Sequence, residues 1–290
     1  MSVAPASARP PRGEMVDIGG RRLRMVRAGE PGGRPTVVLE HGAFGCATDW
    51  TVVQERLAAR GLASLAYDRA GLGHSDPGPK PRDGKAIVAD LAALLRAVDE
   101  AGPVVLAGHS MGGLMVRLFA LTHPELVLGV VLVDAVTPDV ITHPVGGPGV
   151  DAFSRILGWT SEGAKLGMMR PLAAVAGDKI GLPPEASAEK RRIFGSPSHA
   201  LWAAEEVRHW RATSDQARAA EFPPALPVAV ITAGAHTVTA LKEIQSVPAI
   251  ASLNGYIEHV GKAGHANLLG PRFADPIVRG VEHVLATVKR

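Results

Sequence analysis

The sequence predicts an α/β fold, with a mostly parallel central sheet, helices on both faces and a helical insertion that splits the core. Three observations predict it. Short apolar, β-branched runs alternate with stretches of helical spacing through the first half of the chain. Those runs, such as Val104 to Ala107 and Gly129 to Val133, do not alternate apolar and polar residues, as expected of strands covered by helices on both sides. After Asp134 the strand rhythm stops, and it resumes only at Val228.

The elements follow in order. Residues 1–14 are rich in Pro and Arg and lack the continuous apolar run of a secretory signal, so they read as a flexible arm. Met15 to Arg27 alternates around Gly19-Gly20, the pattern of a hairpin with a tight glycine turn. Strands are expected at Thr36 to Leu39, Ala63 to Tyr67, Val104 to Ala107 and Gly129 to Val133, with helical spacing at Asp90 to Val98 and Leu114 to Leu121. The next stretch is rich in Gly and Pro (HPVGGPG, GLPPE, FPP), holds three of the four Trp and carries helical patches without a convincing strand. It reads as an inserted helical cap over residues 137–222, leaving residues 15–136 and 223–290 as one core. Strands resume at Val228 to Thr232 and Tyr256 to Val260, and a last helix runs from Ala274 to Val288.

Composition excludes several functions. At 290 residues, 46% hydrophobic and 20% charged, the chain can bury a large core, and no apolar run approaches the roughly 18 residues that a membrane helix needs. Its 31 Lys and Arg are interspersed with 28 Asp and Glu, and apart from Arg21, Arg22 and Arg24 they form no basic stripe, which argues against nucleic acid as a partner. The one cysteine, Cys46, cannot form an intramolecular disulfide, and a cytoplasmic location is the default expectation. Gly71-Leu72-Gly73 lacks the third glycine of a dinucleotide fingerprint, and no Walker or H-E-x-x-H pattern occurs, so no cofactor and no metal is expected. Glu205-Glu206 with His199 and His209 reads as a solvated helix, because the histidine spacing does not put both rings on one face.

The chemistry is concentrated in Val104 to Gly113, where a strand runs into Gly108-His109-Ser110-Met111-Gly112 and then into a helical stretch. A serine on so sharp a strand-to-helix turn has its hydroxyl pushed out over the sheet, and the glycines two before and two after it let strand and helix backbones approach. Ser110 is therefore the candidate nucleophile. The second Gly-His-Ser, at Gly73-His74-Ser75, runs into Asp76-Pro77-Gly78 rather than a helix, so Ser75 is not a candidate. A serine hydroxyl needs a general base within hydrogen-bond reach, most often histidine.

With the elbow GHSMGG, the upstream LEHGAFG followed by Trp50, the YDRAGLGHSD segment and the late GHANLL, the chain resembles the α/β-hydrolase superfamily over all but the arm and the cap. The resemblance implies an α/β-hydrolase fold and a base in the loop after the last strand, which is His265. In most relatives the acid follows the next-to-last strand, but here Val228 to Gly234 leads into Ala235-His236-Thr237-Val238, without a carboxylate. A minority, including haloalkane dehalogenases of one type, place it at the end of the strand after the elbow helix, where Asp134 stands. Asp139, Glu243 or no acid at all are the alternatives. Of the two backbone donors of an oxyanion hole, one would come from Met111, after the nucleophile, and the other by resemblance from Ala43, with Phe44 competing by one position. Asp68-Arg69 with Gly71 and Gly73 resembles the family's structural loop beside the site.

The expected activity is that of a cofactor-independent serine hydrolase, a carboxylesterase acting on a small or medium apolar ester. The apolar content of the cap, including Phe153, Ile156, Leu157 and Trp210, supports that substrate equally with mere burial on the core. Lactonase, amidase, carbon–carbon hydrolase and perhydrolase activities use the same residues and stay open, as does a binding protein of hydrolase fold that has lost turnover.

Overall fold

In the computed structural model, residues 12–30, 33–100, 102–235 and 237–288 are described. Most of the expected arm, and His236, lie outside them. Strands β1 (Glu14–Asp17) and β2 (Arg22–Ala28) form the hairpin, closed by the Ile18 N–H on the Arg21 carbonyl with Gly19 and Gly20 both at positive φ. The chain continues through β3 (Val37–Glu40), α1 (Thr51–Ala59), β4 (Ser64–Tyr67), α2 (Gly84–Ala97), β5 (Val104–His109), α3 (Gly112–Thr122) and β6 (Val127–Val133). Helix α2 starts earlier than the apolar spacing suggests, because Asp83 caps it by accepting the Ala86 N–H at 3.0 Å.

Between β6 and β7 (Val228–Ala233) lie six helices and no strand: α4 (Pro138–Thr142), α5 (Gly146–Lys165), α6 (Met169–Ala176), α7 (Pro184–Phe194), α8 (Pro197–Arg208) and α9 (Trp210–Ala217). The last of these packs against α2 and α3, with the Thr213 hydroxyl accepting the Gly84 N–H and the Ala217 carbonyl accepting from Arg117. Then come α10 (Thr239–Ala251), β8 (Gly255–Val260) and α11 (Asp275–Val288).

The eight strands form one sheet in the order β1-β2-β4-β3-β5-β6-β7-β8, antiparallel through the hairpin to β4 and parallel from there on. This is the α/β-hydrolase fold. Successive strand residues feed opposite layers. Leu106, Val130 and Val230 pack with α2 and α3, while Val105, Val131 and Ile231 pack with α1 and α11. Both strand faces are thus covered, which is why these runs are apolar throughout. No helix among the described residues is long and apolar enough to cross a membrane.

Candidate active site

Strand β5 lies at the middle of the sheet, and the turn into α3 holds Ser110 at φ +55°, a left-handed conformation that a non-glycine residue adopts only where its surroundings enforce it. The surroundings here leave no slack. A Cβ at Gly108 would stand 2.6 Å from the Gly112 carbonyl oxygen, and one at Gly112 would stand 2.5 Å from that of Glu40. The loop after β3 closes on the same turn, where a Cβ at Gly42 would come within 2.9 Å of the Ser110 Cβ.

Two other strand ends converge on the serine. Asp134, just after β6, also has positive φ (+40°) and is buried. His265 comes from beyond β8, and its loop folds back over the end of β7 because the Gly234 and Ala235 N–H groups both donate to the Ala263 carbonyl, at 3.0 and 2.9 Å. His265 Nδ1 donates to Asp134 Oδ2 at 2.6 Å, which leaves Nε2 free to accept the Ser110 hydroxyl at 2.9 Å. The His265 side chain is 54% exposed, so a substrate can reach it. Burial alone would raise the Asp134 carboxyl, but the His265 hydrogen bond and charge, with the Ala233 N–H, hold it below its ordinary value.

The structure thus brings Ser110, His265 and Asp134 together. Asp139 and Glu243 are exposed instead. Ala43 lines the same cavity as the serine and Met111 follows the serine in the chain, and no acceptor among the described residues takes the backbone N–H of Ala43, Phe44 or Met111. Phe44 is at φ +55°.

Two participants carry no signal in the sequence. Gln245 on α10 reaches Asp134 Oδ1 at 3.4 Å and the Ala135 carbonyl at 3.1 Å. His109, the variable residue of the elbow motif, lies against His265 with ring centroids 4.7 Å apart and planes tilted by 34°, and donates from Nε2 to the His265 carbonyl at 3.0 Å. Burial, and then the neighbouring His265, push its pKa down to about 3, so the ring stays neutral.

The expectation of a solvated helix around Glu205-Glu206 is corrected. Glu205, Glu206 and His199 are all buried, because each meets a partner distant in sequence. Glu206 takes two N–H groups of Arg69, from Nε at 2.9 Å and Nη2 at 2.7 Å, and Glu205 meets Arg208 at 2.6 Å and Lys80 at 3.4 Å. Among the described residues no group of His, Cys, Asp and Glu is arranged to hold a metal ion.

Two cavities open on the serine. One, of about 540 Å³, is walled by Gly42, Ala43, Phe44, Ile156, Leu172 and Phe194, and the other, of about 420 Å³, by Val136, Val140, Val150, Trp210 and Leu241. Ser110, Phe153 and His265 border both.

Residues 35–149 match the family model of the alpha/beta hydrolase fold. The chain is 36% identical over 115 residues to a non-heme chloroperoxidase of Streptomyces lividans, a stretch covering 39% of this chain and 42% of that protein. It is 38% identical over 122 residues to epoxide hydrolase A of Mycobacterium tuberculosis, covering 41% of this chain and 37% of that one. The chain therefore spans about two fifths of the length of these curated relatives. A thermophilic esterase from Thermogutta terrifontis superposes with a TM-score of 0.69 at 21% identity, over 95% of this chain and 99% of that one, a likeness of fold.

Proposed function

We propose that the protein is a serine hydrolase that cleaves a carboxylic ester of a small or medium apolar substrate through an acyl-enzyme, with Ser110, His265 and Asp134 as its triad. One observation carries this reading: hydroxyl, imidazole and carboxylate stand in series at 2.9 and 2.6 Å, on a turn that exposes the hydroxyl to two apolar cavities. As Ser110 Oγ bonds to the carbonyl carbon, its proton passes to His265 Nε2, and Asp134 stabilises the imidazolium and keeps its ring oriented. The carbonyl oxygen, now negative, takes hydrogen bonds from the N–H groups of Met111 and Ala43. Collapse of the tetrahedral species breaks the ester bond, and the proton goes from Nε2 to the departing alkoxide. Water, deprotonated by the same nitrogen, then releases the acid.

A carboxylate nucleophile at the elbow would favour attack on an epoxide or halide carbon, whereas a serine favours acyl transfer. We take residues 137–222 as a cap that supplies the apolar walls. The test is hydrolysis of p-nitrophenyl esters from acetate to laurate by the wild type and by Ser110→Ala. The wild type is expected to be active, and the variant to lose all but the residual on the order of 10³-fold that an oxyanion hole and binding alone provide over water. A wild type that hydrolyses none of these esters and takes no fluorophosphonate on Ser110 would overturn the reading.

A further inference from the structure

Helix α8 of the cap lines neither cavity at the serine but reaches the loop beside it. His199 and Glu206 are seven residues apart, two helical turns, so they share one face, and both are buried. Both act on the loop of residues 41–44. His199 receives the Gly73 N–H on Nδ1 at 3.1 Å, which puts its own proton on Nε2, and that nitrogen donates to the Phe44 carbonyl at 3.2 Å. Glu206 acts through Arg69, whose guanidinium it fixes along one edge while Glu40 holds Nη1 at 2.5 Å. The same guanidinium donates to the His41 carbonyl at 2.7 Å and to the Gly42 carbonyl at 3.0 Å.

The Gly42 carbonyl is the handle that matters. A peptide group is planar, so a fixed C=O fixes the N–H on the other side of the same bond. The partner of the Gly42 carbonyl in that plane is the N–H of Ala43, the group assigned above to the oxyanion hole. The Phe44 carbonyl, clamped by His199 and also approached by Lys190 Nζ at 3.4 Å, secures Phe44 itself in its left-handed conformation, directly after Ala43.

We propose that His199 and Glu206 are positioning residues of the oxyanion hole: α8 of the cap aims the Ala43 N–H, by a direct hydrogen bond to Phe44 and through Arg69 to Gly42. This rests on the serine-hydrolase reading. The cap on this side is then a fixed part of the catalytic apparatus, and its loosening acts on the transition state rather than on ground-state binding. A misplacement of about 1 Å at such a donor is worth up to about 10²-fold in rate.

The experiment compares kcat and KM on a p-nitrophenyl ester, and inhibition by an alkyl boronic acid as a tetrahedral mimic, for wild type, His199→Leu, His199→Gln, Glu206→Ala and Glu206→Gln. Thermal unfolding is recorded for each. His199→Leu and Glu206→Ala are expected to lose about 10- to 100-fold in kcat with KM within about threefold, and to weaken boronate binding in parallel. The glutamine variants, which keep a hydrogen-bonding group, are expected to recover most of the loss. Should the first two fail to fold, Lys190→Met combined with Asp49→Asn loosens the same carbonyl without leaving a charge unpaired, and a several-fold loss in kcat is expected there. Folded variants with unchanged kcat, or with a loss confined to KM, overturn the proposal while leaving the triad intact. A wild type without esterase activity and without fluorophosphonate labelling of Ser110 overturns both.

Discussion

Val136 donates its backbone N–H to the carbonyl oxygen of Ser110 at 2.9 Å, and the N–H of Ser110 goes to the Val133 carbonyl at 3.1 Å. These bonds straddle Asp134, so the turn that exposes the serine and the turn that presents the carboxylate are tied by backbone alone. Asp134 is secured further by its own N–H on the Ile231 carbonyl at 2.6 Å and by the Ala233 N–H on Oδ1 at 3.1 Å. An acid after β6 thereby reaches the Nδ1 of His265 without a carboxylate after β7.

The first prediction concerns that acid. Asp134→Asn keeps an oxygen for the Ala233 N–H and nearly the same volume, so the fold should survive. The amide cannot stabilise an imidazolium and favours the wrong imidazole tautomer. A fall in kcat/KM on the order of 10² to 10⁴ is expected, with little change in Tm. Steady-state kinetics alongside thermal unfolding decide it, and a loss below about tenfold would remove Asp134 from the triad.

How much of this was legible in the sequence depends on how local each signal is. Ser110 is written in ten consecutive residues, since strand, glycines and helix all adjoin it. His265 and Asp134 lie 155 and 24 residues further along the chain, and only the resemblance to a family of known topology links them to the serine. Gln245 sits on α10, a helix that contains Pro248 and follows the unexpected Ala-His-Thr-Val segment, so neither the helix nor its role stands out. Helix α1 is similarly faint, because the face it buries includes Thr51 and Gln54 among its valines. The solvated reading of α8 failed for a related reason. Charged residues read as exposed unless their partners are seen, and Arg69 and Phe44 are more than 130 residues away from Glu206 and His199.

The second prediction concerns Phe153, the apolar side chain common to both cavities, which also packs edge-on against Trp210 at 6.2 Å. Standing where they meet, it would, on the proposed ester-cleaving reading, separate the groups on either side of the scissile bond. Phe153→Ala should join the two spaces. Short esters, which need that ring as a wall, should lose about fivefold in kcat/KM, roughly 1 kcal/mol of apolar contact. Long or branched acyl chains should lose nothing or gain. The acetate-to-laurate series reads the shift of optimum, and an unchanged chain-length profile would deny Phe153 this role.

The third prediction concerns acid. His109 and His199 are buried, each with its pKa pushed from the ordinary 6.5 down to about 3, and His41 is likewise driven well below its ordinary value. Desolvation is the leading cause in all three. In the unfolded chain these rings take up protons below about pH 6.5, while in the folded chain they stay neutral, so falling pH favours unfolding. Each ring should remove about 1.4 kcal/mol of stability per pH unit below that point. The lowered carboxyl of Asp134 acts in the same direction but later, because its contribution is present above the ordinary carboxylate range and goes only as the pH falls through its own lowered value. Urea unfolding between pH 7 and pH 4.5 should therefore show a midpoint that declines well before carboxylates titrate, and His199→Gln should flatten the decline by one ring's share. A midpoint constant down to pH 4.5 would mean that these imidazoles accept protons in the folded state, at odds with the Gly73 N–H that His199 accepts on Nδ1.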